Sequence, residues 1–250
     1  IAGLLAYEGL PSADLVSLKA VYSGSAALPE AVLRRWEERV GCPIYEGYGQ
    51  TEAGPVLTYQ FEGETRIAGT VGRALPETEI QVVDTDTGSQ VLTPGTAGEI
   101  RARGPQIMSG YRNRPLETAA ALRDGWLYTG DIGHLDADGV LTISDRKKDM
   151  VITGGYNVYP REVEEVLHAH PDVAEAAVVG RPDDYRGEIV VAFVVVRAGA
   201  DTDAEPLLEY CRRHLAPYKV PARLQFVPAL PRTAVGKLDK PALRAMPAHP

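Results

Sequence analysis

Residues 15–52 constrain the fold more than any other part of the chain. The segment "LVSLKAVYSG" (residues 15–24) ends in a short apolar run that predicts a buried strand. "SGSAAL" follows with small residues, and Pro29 and Glu30 suit the first turn of a helix. Val32, Leu33, Trp36 and Val40 then recur at helical spacing and give that helix an apolar stripe. "CPIYEGYG" reads as another short strand running into a loop. Strand, small-residue loop, helix and strand in this order predict an α/β sheet, and such sheets bind ligands at the carboxyl ends of their strands.

From about Gly69 the pattern changes. "EIQVVDTDTG", "GEIRARG" and "GWLYTGDIGHLDADGVLTISD" are short strands separated by Gly, Asp and Pro, and Asp138-Gly139 between apolar runs signals a hairpin. A small antiparallel sheet or distorted barrel is expected, interrupted by a helix near residues 116–122. The charge cluster "SDRKKD" marks a domain boundary. After it come a strand ("MVITGG"), a helix opened by Pro160 ("PREVEEVLHAH"), strands "VAEAAVVG" and "IVVAFVVV", a helix at residues 207–215 and a short closing helix. The expected organisation is the end of an α/β nucleotide-binding subdomain (1–68), a β-barrel-like subdomain (69–144) and a compact, mobile α+β domain (145–250).

Composition excludes some functions. The formal net charge of −8 argues against a general nucleic-acid binder. No apolar run approaches membrane-spanning length, and no signal segment opens the chain. Cys42 and Cys211 lack metal-type spacing and read as free thiols of a reducing compartment, so a cytoplasmic location is expected. His168 and His170 are not at metal spacing on a helix and read as surface residues. The chain begins at Ile1 with "IAGLLAYEGL", which reads as the tail of a helix already under way and implies a front half upstream.

Several residues point to chemistry, each with a plainer reading beside it. In "YEGYGQTEAG", Gly47 and Gly49 would let a ligand approach the backbone. Tyr48 offers a flat face for a purine, Thr51 can donate to a phosphate oxygen, and Glu52 is a hard oxygen ligand for Mg²⁺. The plainer reading is a glycine-rich turn with a solvated glutamate. Gly24, Ser25 and Ala26 form a low-bulk ledge for a heterocycle, or serve tight strand-to-helix packing. Asp131 after "WLYTG" could accept from two ribose hydroxyls, or bond its own turn. Arg146 could reach a ribose or phosphate oxygen, or belong to a solvated charge run. Gly154-Gly155 is a closely approachable backbone or a β-turn. Gly236-Lys237 lies in a polar loop that is not a phosphate-binding P-loop, because Pro231 and Leu238 stand where glycine and Ser or Thr are needed.

Taken together, "SGSAALP", "EGYGQTE", "GWLYTGD", "SDRKKDMVITGGYNVYPREVEEVL" and "LPRTAVGKLDK" resemble, in order, the motifs of the adenylate-forming superfamily of acyl-CoA synthetases, luciferases and nonribosomal adenylation domains. The resemblance spans almost the whole chain. It implies ATP-dependent activation of a carboxylic acid to an acyl-adenylate, followed by transfer to coenzyme A. By the same resemblance, Gly24, Ser25 and Ala26 line the adenine and Tyr48 stacks on it. Thr51 holds the α-phosphate, Glu52 holds Mg²⁺, and Asp131 with Arg146 grips the ribose. Lys148 is the hinge between two domains, Gly154 and Gly155 line the pantetheine channel, and Lys237 stabilises the adenylation transition state.

Departures narrow the subclass. The family's upstream Gly/Ser/Thr-rich phosphate loop is missing, and "TPGTAGE" (residues 93–99) lies in the wrong order, so the chain resembles the rear half of such a ligase and should be inactive alone. Ile152 stands where luciferases and coumarate-type ligases carry lysine. Gly47 stands where malonate-type ligases carry arginine, which leans the acyl group toward a fatty or other neutral acid. Two other readings stay open: an acid ligase that loads an acyl carrier protein, and an inactive relative that binds nucleotide or a partner.

Overall fold

A computed structural model describes residues 1–10, 13–26, 28–200, 202–234 and 236–247. The chain divides into two units, Ile1–Ser144 and Asp145–Pro250.

The first unit opens with a short helix α1 (Ala2–Leu5), strand β1 (Val21–Ser23), helix α2 (Glu30–Val40) and strand β2 (Ile44–Tyr48). Pro29 stands at the N-cap position of α2 without a side-chain cap, and Gly41 ends the helix in a left-handed conformation (φ 70°), its N–H donating to the Glu37 carbonyl. The α2 stripe buries Leu33 and Trp36 against Leu5, Leu10, Leu28 and Ile44. This places β2 parallel to β1, with Val21 opposite Ile44 and Ser23 opposite Glu46. Strands β3 (Thr58–Tyr59) and β4 (Arg73–Ala74) complete a sheet of order β1-β2-β3-β4.

A second, antiparallel sheet follows in the same unit. Its strands are β5 (Glu79–Val83), β6 (Gly98–Arg103), β7 (Leu122–Arg123), β8 (Trp126–Leu135) and β9 (Leu141–Arg146), ordered β5-β6-β8-β7 with β9 also on β8. The helix expected near residues 116–122 is α3 (Pro115–Ala121). Asp138-Gly139 forms the expected β8–β9 turn, in which the Asp136 carboxylate accepts from the Asp138 and Val140 N–H groups. The two sheets join where Val71 N–H donates to Leu141 O and Leu141 N–H donates to Gly72 O, both at 2.8 Å.

The second unit takes in the last two residues of β9 and continues with a 3₁₀ turn (Lys147–Asp149), strands β10 (Val151–Thr153) and β11 (Tyr156–Val158) and helix α4 (Pro160–Ala169). Strands β12 (Val173–Asp183) and β13 (Gly187–Val196), helix α5 (Ala204–His214), strand β14 (Arg223–Phe226) and helix α6 (Lys240–Ala245) follow. The sheet order is β11-β10-β13-β12, with β14 parallel to β13. One face of β12–β13 packs Val178, Val190, Ala192 and Val194 against α4 and α5. The other packs Ala177, Val179, Val191 and Phe193 against Leu230 and Leu243. Burial on both faces explains why this hairpin is an almost unbroken apolar run.

His168 and His170 are corrections to the sequence reading. Both are half-buried, because α4 lies between β12 and α5. Burial pulls the His168 imidazole below the ordinary histidine range, and the His170 ring meets Tyr210 edge-on at 5.0 Å. Cys42 and Cys211 are free and buried. No helix among the described residues is long and apolar enough to cross a membrane.

Candidate functional site

In the first unit the residues singled out from the sequence gather at the carboxyl ends of β1 and β2. Gly24 follows β1 directly, and a Cβ built on it would lie 3.3 Å from the Gly47 carbonyl oxygen. Ser25 has φ +68°, and Gly24, Ser25 and Ala26 are all exposed, so a low ledge stands one strand away from Tyr48. Ala27, in the same motif, lies outside the described residues.

Tyr48, the last residue of β2, is half-buried, and its hydroxyl donates to Asp131 Oδ2 at 2.6 Å. Asp131 sits in the middle of β8, 83 residues further along the chain. The join between the two sheets brings the ring and the carboxylate together. The ring also packs against the buried clusters around Leu57 and Leu141, so it is held in place beside the carboxylate. Thr51 and Glu52 open a 3₁₀ turn just after β2 (Thr51–Ala53), and Ala53 is fully buried with Leu57, Ala102 and Leu127. That burial anchors the turn and leaves the Thr51 hydroxyl exposed. The Glu52 backbone carbonyl accepts from Met108 N–H at 2.9 Å, and its carboxylate Oε1 accepts from the Tyr111 hydroxyl at 2.7 Å.

The glycines of this loop have a different reason from the one the sequence suggests. A Cβ at Gly49 would lie 2.0 Å from the Pro55 carbonyl oxygen, and one at Gly47 would lie 2.8 Å from Tyr59 Cδ2. Both glycines are required by the protein's own packing, because the loop folds back on itself and the Tyr59 ring fills the space beside Gly47.

In the second unit, Arg146 ends β9 and Lys148 lies in the following 3₁₀ turn; both are exposed. Gly154 and Gly155 form the β10–β11 turn with φ +56° and +84°, open to solvent on the Cβ side. Lys237 lies in a hairpin-like loop in which Thr233 N–H donates to Lys237 O at 2.7 Å and Lys237 N–H to the Thr233 hydroxyl at 3.2 Å. Arg232 bridges this loop to Glu175, near the start of β12, at 2.6 Å. The Gly154-Gly155 turn lies at the other end of the same hairpin, where Thr153 pairs with Gly187 and Gly187 with Asp183. Eight residue steps along β12 lead from Glu175 to Asp183, so the lysine loop and the glycine turn stand on the order of 25 Å apart.

Two features of the second unit escape sequence reasoning. Lys240 Nζ lies 3.4 Å from Glu164 Oε1 and 3.9 Å from Asp145 Oδ1, and Arg244 donates to Asp149 Oδ1 at 2.7 Å. Helix α6, three residues beyond Lys237, is thereby tied to both ends of the "DRKKD" segment. Two cations at i and i+4 with no acidic neighbour on their own helix were the available signal.

The residues of the first unit fit a nucleotide: an exposed ledge, a ring, a carboxylate bonded at the ring's edge, a hydroxyl and a second carboxylate. Among the described residues no group of three or more His, Cys, Asp or Glu side chains could hold a metal ion. One carboxylate suits Mg²⁺ that brings its remaining ligands as phosphate oxygens and water.

The first unit thus carries the ledge, ring and carboxylates, and the second an exposed lysine loop. Residues 2–112 match the family described as "AMP-binding enzyme", and residues 162–237 match "AMP-binding enzyme C-terminal domain", between them more than half of the chain. The chain belongs to this adenylate-forming family. It is 49% identical over 94% of its length to a long-chain-fatty-acid–CoA ligase of Bacillus subtilis, covering 42% of that protein. It is 44% identical over 95% of its length to an indoleacetate–CoA ligase of Aromatoleum aromaticum, covering 46% of that protein. The crystal structure of ATP-bound MatB from Rhodopseudomonas palustris superposes with a TM-score of 0.87 at 36% identity, over 97% of this chain and 52% of that one. The chain thus spans less than half the length of the curated relatives it matches.

Proposed function

We propose that the complete polypeptide containing this chain is an acyl-CoA ligase. It activates a carboxylic acid with ATP to an acyl-adenylate, releasing pyrophosphate, and transfers the acyl group to the thiol of coenzyme A, releasing AMP. The observation that carries this reading is the 2.6 Å bond between Tyr48 and Asp131, which sets an aromatic face beside a carboxylate next to the small-residue ledge. In this reading Gly24, Ser25 and Ala26 edge the adenine, Tyr48 stacks on it, and Asp131 accepts from the ribose hydroxyls. Arg146 is assigned to a ribose or phosphate oxygen. The Thr51 hydroxyl donates to the α-phosphate, and Glu52 holds the magnesium that accompanies the phosphates. When bound, magnesium neutralises phosphate charge as the carboxylate approaches.

Attack of a carboxylate on a triphosphate gathers negative charge at one point. A compact ammonium at Lys237 offsets it there. The second step needs an open path for a thiol, which the Cβ-free turn at Gly154-Gly155 offers. The span between these two elements along β12–β13 supports a rotation of the small unit about Lys148 between the half-reactions. The acid is assigned to the neutral class, fatty acids foremost. The Tyr59 ring at the Cβ position of Gly47 supports this, because it fills the place from which a cationic side chain would start.

The test is a panel of acids supplied to the complete polypeptide, with pyrophosphate release measured with and without coenzyme A. Release is expected only with ATP, Mg²⁺ and acid together, highest for fatty acids, with AMP and a thioester formed when coenzyme A is added. No release with any acid rejects the reading. Acyl transfer to a pantetheinylated carrier protein in place of coenzyme A replaces the acceptor.

A further inference from the structure

Glu52 has one carboxylate oxygen engaged by a residue that no motif includes. Its Oε1 accepts from the Tyr111 hydroxyl at 2.7 Å, across 59 residues of chain. The two segments are pinned against each other at several points. Met108 N–H donates to the Glu52 carbonyl at 2.9 Å, and a Cβ at Gly54 would lie 2.8 Å from the Gln106 carbonyl oxygen. Tyr111 is itself seated from α3: its N–H donates to the Thr118 hydroxyl at 2.9 Å, and that hydroxyl donates to the Arg114 carbonyl at 2.8 Å. The phenol is therefore a fixed donor on a braced loop, and Glu52 is a flexible side chain on a short turn.

We propose that Tyr111 is a positioning residue for Glu52, holding one carboxylate oxygen so that the other is presented to the magnesium that arrives with ATP. This rests on the ligase reading above. A glutamate free to rotate spends much of its time turned away from a cation, and ordering it at the moment of binding costs side-chain entropy. A neutral donor on Oε1 restricts that rotation without taking the negative charge that attracts the metal.

The experiment compares the complete polypeptide with its Tyr111→Phe and Glu52→Gln variants. Calorimetry measures ATP affinity in excess Mg²⁺ and in EDTA, and pyrophosphate release is followed as Mg²⁺ is varied. Tyr111→Phe is expected to keep the Mg²⁺-free ATP affinity. It should lose about three- to tenfold of the affinity gained from Mg²⁺, the net size of one ordinary hydrogen bond. The half-saturating Mg²⁺ concentration should rise by a similar factor while the rate at saturating Mg²⁺ stays near the parent's. A parent-like Mg²⁺ response in Tyr111→Phe, with Glu52→Gln impaired, overturns the positioning role and leaves the ligase reading standing. Absence of any Mg²⁺ effect on ATP affinity in the parent overturns both. An unchanged thermal midpoint in Tyr111→Phe separates positioning from loss of fold.

Discussion

Replacing Lys240 with methionine isolates the electrostatics of α6. The ammonium stands 3.4 Å from Glu164 and 3.9 Å from Asp145, and the three side chains are 15%, 17% and 6% exposed. At an effective dielectric constant of about 20, charge pairs at these distances attract by about 5 and about 4 kcal/mol. Desolvation of the three charges cancels much of this in the intact cluster. Removing the cation alone leaves the desolvation in place, so the expected loss is about 3–5 kcal/mol near pH 8. The loss depends on pH in a defined direction. Burial raises the Glu164 carboxyl above its ordinary range, and Lys240 is the largest influence holding it down. A group whose folded-state value is raised imposes no penalty below its unfolded value, and costs stability as pH rises toward the folded one. Without Lys240 the folded value climbs further, and the loss continues to higher pH. Lys240→Met should therefore be milder near pH 5, where Glu164 can take up a proton, than near pH 8. The added substitution Glu164→Gln should recover part of the loss near pH 8. Both tryptophans, Trp36 and Trp126, lie in the first unit, so their fluorescence misses this event. Urea unfolding followed by hydrogen exchange at β12 and β13 amides reads it directly. A loss below about 1 kcal/mol, or one equal at both pH values, refutes the reasoning.

Three further outcomes follow from the site. Lys237→Ala should cut acyl-adenylate formation by about a hundredfold or more, the scale of losing one charge-stabilising donor, while transfer from preformed acyl-adenylate survives; separate assays of the half-reactions decide it. Gly155→Leu should do the reverse, blocking thioester formation while pyrophosphate release continues. Its left-handed φ of +84° adds about 1–2 kcal/mol of strain, visible as a lower thermal midpoint. Gly49→Ala forces a Cβ against the Pro55 carbonyl and should cost about 1–3 kcal/mol by thermal unfolding, with weaker ATP binding as Thr51 and Glu52 shift.

Much of the architecture was legible in the sequence because local signals agreed. Helix α2 carries its stripe and its terminal glycine, the Asp138-Gly139 turn announces β8–β9, and doubly apolar runs announce the β12–β13 hairpin. The small-residue ledge, Tyr48 and Asp131 could be proposed from motif order, although the contact of Tyr48 with Asp131 could not, since it spans 83 residues. What escaped was long-range. Tyr111 reaches Glu52 across 59 residues and Arg244 reaches Asp149 across 95, and no periodicity encodes such meetings. The glycines were visible, but their cause was not: the atoms that exclude a Cβ belong to Pro55 and Tyr59, brought back by folding. His168 and His170 looked solvated because a helix read alone does not reveal what packs on it, such as Tyr210 of α5 against His170.

The β12–β13 hairpin has one more consequence. It is a stiff spar with the lysine loop at one tip and the glycine turn at the other. On the proposed rotation, a spar of that length offers one tip to the acyl carbonyl by withdrawing the other. On the proposed scheme, the chronology of the reaction is written into its length: the thiol gains its path only after the lysine has left, so the carboxylate has already displaced pyrophosphate from ATP when the thiol reaches the acyl carbonyl.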